Sequence, residues 1–124
     1  METDLERILY SYRPEKIEID LSLYYKFGLE EVFIYSMMVD FYEFQIENKL
    51  IEAGEEGYLA IEHISLLSNI DITRIHNIIT ELDNSKLIRI NFDTLLLQIF
   101  FQPLKTPVGE PTNIVEFSTF SKKK

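Results

Sequence analysis

The side chains of this chain best suited to chemistry are carboxylates at helical spacing and two histidines. Asp40, Glu43 and Glu47 recur at steps of three and four, with Ser36 on the same stripe, so on a helix they share one face. Such a row could hold a hard cation, but a carboxylate stripe alone does not define a coordination shell of about six to eight oxygens. No histidine lies near it in sequence, so it reads as a solvated face and no metal is expected. His63 and His76 fall on different expected helices, and the chain has no cysteine. Glu62-His63 lacks the second histidine of a zinc-protease motif, and each histidine is expected to be a partly exposed polar residue. Gly28, Gly54, Gly57 and Gly109 form no phosphate-cradling pattern. The residues point to a non-enzyme without a cofactor.

Charge narrows the field further. The 124 residues carry 12 basic and 21 acidic side chains, a net charge of −9. Between Leu29 and Gly57 there are eight acids (Glu30, Glu31, Asp40, Glu43, Glu47, Glu52, Glu55, Glu56) against one base, Lys49. Proteins that grip nucleic acid owe much of their affinity to Lys and Arg placed on phosphates. A surface of this sign repels a phosphate backbone and attracts a basic partner. The candidate protein-contact residues are therefore Asp40, Glu43, Glu47, Glu52, Glu55 and Glu56. No run approaches the roughly 20 apolar residues that span a bilayer. The acidic start "METDLERILYSYRPEK" is unlike a secretory signal, so a cytoplasmic protein without a membrane partner is expected.

The elements that must position these residues follow from periodicity. Leu5, Ile8, Leu9 and Tyr12 suit a short helix within 2–12, which Arg13-Pro14 interrupts. Ile17, Ile19, Leu21 and Leu23 alternate as in a half-buried strand, so the lead from Lys16 to Tyr25 is expected to be extended, at least to Asp20. A long helix from about Leu29 to Ile51 is apolar over most of its circumference, which makes it central in the fold or a contact with another chain. "EAGEEG" reads as a flexible connection and "YLAI" as a very short strand. "EHISLLSNI" makes a two-turn helix presenting Ile61, Ile64, Leu66 and Leu67. Asn69 tolerates a left-handed turn, and Asp71 stands as N-cap of the next helix. That helix puts Ile72, Ile75, Ile78, Ile79 and Leu82 on one face. Strands Leu87–Asn91 and Leu95–Phe101 follow, joined through Phe92-Asp93-Thr94. Pro103, Pro107 and Pro111 end regular packing, and the tail carries a strand at Asn113–Phe117 or stays loose. The expected division is residues 1–27 as helix and extended arm, 28–102 as the domain, and 103–124 as tail.

Helix, short strand, helix, turn, helix, hairpin is the order of a winged helix-turn-helix domain, and residues 57–101 resemble that superfamily locally. Ser68-Asn69-Ile70-Asp71 stand where many bacterial members have Leu-Gly-Ile-Ser before the second helix. Ile75 fills the internal β-branched position and Leu82 the later leucine. Lys86-Leu87-Ile88 stand at the Gly-Leu-Ile exit. The lead "KIEIDLSLYYKFGLEEVFIYSMM" looks like the approach to winged helices of plasmid and phage replication initiators. The resemblance implies an α+β, mainly α fold with a small β-hairpin wing and a second helix able to read the major groove.

The outer face of that helix is Thr73, Asn77, Thr80 and Asn84, bordered by Arg74 and His76. With Arg89 on the following strand, these are the candidate DNA contacts. Arg can pair with guanine and Asn with adenine, which favours Arg74 and Asn77 as base readers. Residues 57–101 nevertheless hold three bases (Arg74, Lys86, Arg89) against five acids. Two functions are therefore expected. One is a DNA-binding regulator of transcription or replication initiation, acting on double-stranded DNA as a homodimer. Its long helix and lead would form the dimer surface, with half-sites about 34 Å apart. The other is an acidic interaction module, a replisome adaptor or polymerase-binding regulator, that meets a basic protein and no DNA.

Overall fold

The computed structural model describes residues 4–93 and 98–104, together with the backbone of 114–117. Its fold is α+β and mainly helical, with a small three-stranded antiparallel sheet.

The short helix α1 (Asp4–Leu9) leads into β1 (Ile17–Asp20), whose Ile17 and Ile19 are buried. The expected extended lead ends there. The Asp20 carboxylate accepts from Ser22 N at 2.9 Å and starts a second helix, α2 (Leu21–Phe27). A capped helix start outweighs the period-two pattern that runs on through Leu21 and Leu23. Gly28, at φ 102°, redirects the backbone into α3 (Leu29–Glu47).

Helix α3 is the centre of the molecule. It packs against α2 and β1 and against three later elements, β2 (Gly57–Tyr58), α4 (Ile61–Ser68) and α5 (Ile72–Asn84). Val32, Ile34, Met37, Met38 and Phe41 are almost wholly buried around it. Most of its apolar circumference is thus used within the chain. Of the surface expected to carry a dimer contact, most of α3 is covered by the chain's own elements, whereas Tyr24, Tyr25 and Leu29 are exposed. The helix ends at Glu47, before the expected Ile51. Asn48 Nδ2 bonds Phe44 O, Lys49 turns left-handed at φ 61°, and Leu50 N returns to Gln45 O. This lets Ile51 fold back into the core.

The connection at 52–57 is tied down on several sides, contrary to the flexible linker its composition suggests. The Tyr42 hydroxyl donates to Glu55 O and accepts from Gly54 N. Gln102 Nε2 donates to Gly54 O. The strand β2 (Gly57–Tyr58) lies so close to α3 that a methyl group at Gly57 would stand 2.9 Å from the Tyr42 ring. The fully buried Gln45 binds both backbone groups of Tyr58, accepting from N at 2.8 Å and donating to O at 2.9 Å.

Next come α4 (Ile61–Ser68) and α5 (Ile72–Asn84). Between them Asn69 is left-handed at φ 60°, and Asp71 Oδ2 caps Thr73 N at 2.9 Å. Both features are as the residue types suggest. Ile75, Ile78, Ile79 and Leu82 face the core, whereas Ile72 is 40% exposed and Leu66 70% exposed. Each lies at the margin of its apolar face.

The hairpin pairs β3 (Ile88–Asp93) with β4 (Gln98–Pro103), from Ile88↔Pro103 to Asp93↔Gln98. Phe92 and Asp93, expected in the turn, belong to the strand. Thr94 and the expected start of the second strand at Leu95 lie outside the described residues. The sheet order is β2-β4-β3. β5 (Ile114–Phe117) pairs antiparallel with β1, as Ile17↔Phe117 and Asp20↔Ile114, so a segment from the expected tail is joined to the expected arm. Leu9, Tyr12, Ile17 and Ile19 share one core with the helices that follow. Among the described residues, no helix is long and apolar enough to cross a membrane.

Candidate functional site

The outer face of α5 is shaped by which of its side chains the rest of the fold has engaged. Thr73, His76, Asn77, Thr80 and Asn84 are exposed. Thr80 donates its hydroxyl to His76 O, a bond within the helix. Arg74 is different. Its Nε lies 2.9 Å from Glu30 and its second terminal nitrogen 2.7 Å from Glu31, both on the first turn of α3. These two bonds hold the guanidinium pKa above its ordinary value. A helix N-terminus favours anions, so the glutamates suit their place, while an arginine in the first turn of α5 needs such partners. The cation proposed to read bases is therefore already paired, although 41% of its side chain remains exposed.

What remains on α5 is polar without positive charge, and Glu81 and Asp83 are exposed along it. Asp83 Oδ1 accepts from Ile90 N at 3.3 Å, linking the helix to β3. Arg89 is exposed on β3 and bonds Gln102 across the hairpin.

The acidic residues separate into two groups. Asp40, Glu43 and Glu47 lie along one stripe of α3, and Glu18 of β1 adds its field to theirs. The Glu43 carboxyl is raised above its ordinary pKa, first by burial and then by Asp40, Glu47 and Glu18. Asp40 also accepts a 2.6 Å bond from the Tyr12 hydroxyl. Burial, that bond and the neighbouring charges of Asp40 and Glu43 push the tyrosine far above its usual range. Glu52, Glu55 and Glu56 sit elsewhere. Their loop is tied to Tyr42, which lies about 200° round the helix from Asp40. Glu55 caps Glu52 N at 2.7 Å, and Glu56 accepts from Asn91 at 3.2 Å. The single acidic patch suggested by the sequence is thus a stripe and a separate, internally bonded loop.

His63 is the second departure. It is 3% exposed rather than partly solvated, with Nε2 at 2.8 Å from both Tyr12 O and an Arg13 nitrogen. The neutral ring can accept from Arg13 or donate to Tyr12 O through that nitrogen, one at a time. Burial lowers its pKa and the Arg13 charge acts in the same direction, while the Tyr12 carbonyl opposes them. Glu18, Glu30, Glu31 and Arg13 escaped the sequence-based site. Each meets its partner across 25 or more residues, a distance at which periodicity carries no signal. No protein-family model, curated protein or solved structure matches the chain.

Proposed function

We propose that this chain is a winged helix-turn-helix module working through protein contacts, and that its partner presents a basic surface to the α3 stripe. The fold reading is supported by the order α3, β2, α4, α5, β3, β4 with sheet order β2-β4-β3. In that arrangement a two-helix corner leans on a hairpin. The functional reading is carried by one observation, the pairing of Arg74 with Glu30 and Glu31. It leaves the exposed face of α5 without an unpaired cation, whereas nucleic-acid affinity is dominated by cations on phosphates. In the stripe Asp40, Glu43, Glu47 with Glu18, burial first and then the neighbouring like charges raise Glu43, and an incoming cation would relieve the repulsion part.

The test is the binding of a fluorescently labelled, short lysine- and arginine-rich peptide followed by anisotropy. Binding should weaken as salt is added. The triple variant Glu18→Gln, Glu43→Gln, Glu47→Gln should reduce affinity roughly tenfold, taking about 0.5 kcal/mol for each surface pair. Asn77→Ala with Thr80→Ala should leave it unchanged. No binding, or binding indifferent to the triple variant, would contradict the proposal.

A second reading rests on its own observation. Thr73, His76, Asn77, Thr80 and Asn84 form an exposed polar face on α5, the chemistry of base-edge contacts. On this reading the chain is a DNA-binding regulator in transcription or replication initiation, and Arg74 must exchange its glutamates for a base or phosphate.

A further inference from the structure

One ring nitrogen of the buried His63 faces two partners with opposite demands. Nε2 lies 2.8 Å from Tyr12 O, which can only accept, and 2.8 Å from Arg13 Nη1, which can only donate. The same arginine nitrogen reaches Tyr12 O at 2.8 Å and Tyr10 O at 3.1 Å. We propose that this cluster is a proton-operated clasp on the N-terminal arm: a proton added to His63 expels Arg13 and releases α1 from α4, independently of the stripe on α3.

In the closed state Nε2 is bare and Arg13 donates to it, so the guanidinium bridges the exit of α1 to α4. A proton on the ring reverses the role of that nitrogen. Nε2 becomes a donor, its acceptor is Tyr12 O, and two cations stand where one hydrogen bond stood. His63 is 3% exposed, so water screens them little. Arg13 is exposed and is the partner able to turn outward. The other ionisable groups around the ring do not outweigh this contact. The rings of Tyr10 and Tyr12, with centroids 5.2 and 6.5 Å away, are uncharged phenols. Asp40 is engaged by the Tyr12 hydroxyl, at the other end of that residue from the carbonyl His63 meets. Glu62 and Glu6 are exposed to water, and Glu6 has a partner of its own.

The arm is the element built to move. Helix α1 has six residues, too few to stay helical alone. Leu9 is buried, but the rest of α1 is exposed or half-buried. A cleft of about 500 Å³ is lined by Glu6, Leu9 and Tyr10 of the arm and by Leu59, Ile61 and Ile72 of the body, so the arm does not pack flush. Tyr12, held by Asp40 at 2.6 Å, stays as the fixed side of the hinge. Burial first, opposed by the Tyr12 carbonyl and aided by Arg13, keeps the closed ring below its free value of 6.5. Release lets the ring recover towards that value. Opening therefore grows as pH falls from about 6.5 to the closed-state pKa, by up to roughly tenfold per pH unit.

The test is amide hydrogen exchange of the full chain at about pH 7.5 and about pH 5.5, corrected for the intrinsic rate, with the His63 ring carbons titrated by NMR. The amides of Tyr10 and Ser11, bonded to Glu6 O and Ile8 O in the closed arm, should lose protection roughly tenfold. The change should track the His63 titration, while Ile78 and Leu82 of α5 keep their protection. Arg13→Gln should lower protection of the arm already at about pH 7.5, and His63→Gln should remove its pH dependence. An equal loss in His63→Gln would assign the proton to another group, Glu6 or Glu62 first, and overturn the proposal. Unchanged protection of the arm across the His63 titration, or a loss shared by α5, would do the same. Should His63→Gln fail to fold, the titration of the unaltered chain and Arg13→Gln decide the matter.

Discussion

Single residues carry several of the sharpest consequences. Lys86 occupies the left-handed region at φ 64°, at the place where the winged-helix pattern has glycine. A side chain there costs about 1–2 kcal/mol, partly offset by the greater freedom glycine gives the unfolded chain. Lys86→Gly should therefore raise stability by about 0.5–1 kcal/mol, seen as a higher urea midpoint with an unchanged slope. Gln45 has the opposite weight. Replacing it with Leu leaves the half-buried N–H and C=O of Tyr58 without their side-chain partner, and should lower stability by about 1–3 kcal/mol in the same experiment. His63 sets a pH dependence. Its folded pKa lies below the free value of 6.5, so the unfolded state takes up the proton first. Its contribution to stability is complete above about pH 6.5 and is lost as pH falls towards the depressed folded pKa. Glu43, raised above 4.5, works in the other direction just above that value, because its folded form binds the proton first. Denaturation curves between neutral pH and pH 5 should show stability falling, and His63→Gln should flatten that slope.

At the level of elements, α3 explains both what the sequence reveals and what it conceals. Its nearly all-round apolar surface announces a central helix, and the isoleucine face of α5 with its Asp71 cap is legible for the same reason. Both are local periodicities. The helix α2 is harder to read, because Leu21 and Leu23 satisfy a strand pattern and only the Asp20 cap contradicts it. The close approach of β2 to α3 is hidden altogether, since nothing in "EEGYLAI" says that Gly57 meets the Tyr42 ring. Gly57→Ala should lower stability by about 1–3 kcal/mol through overpacking, with the loss read from thermal unfolding. The candidate site divides along the same line. Exposed Asn77 and Thr80 follow from helical spacing, whereas the engagement of Arg74 by Glu30 and Glu31 depends on how α5 lies across α3. Helix-to-helix placement is set by the whole core, and no short stretch encodes it.

At the scale of the whole molecule, net charge and burial point the same way. Most of the apolar circumference of α3 is used inside the chain, and at −9 two copies repel one another. Light scattering should therefore give the mass of one chain, 14.7 kDa, and twice that value would reopen the dimeric DNA reader. On the function proposed above, the exposed face of α5 lacks the cationic surface a duplex demands. The most direct test is the anisotropy of labelled random-sequence duplex DNA titrated with the protein at about 50 mM salt, where phosphate contacts are strong. The expected result is no saturable binding. Binding that fades steeply with added salt and is lost in Arg74→Ala would show that the arginine leaves its glutamates for the duplex, and would contradict the account.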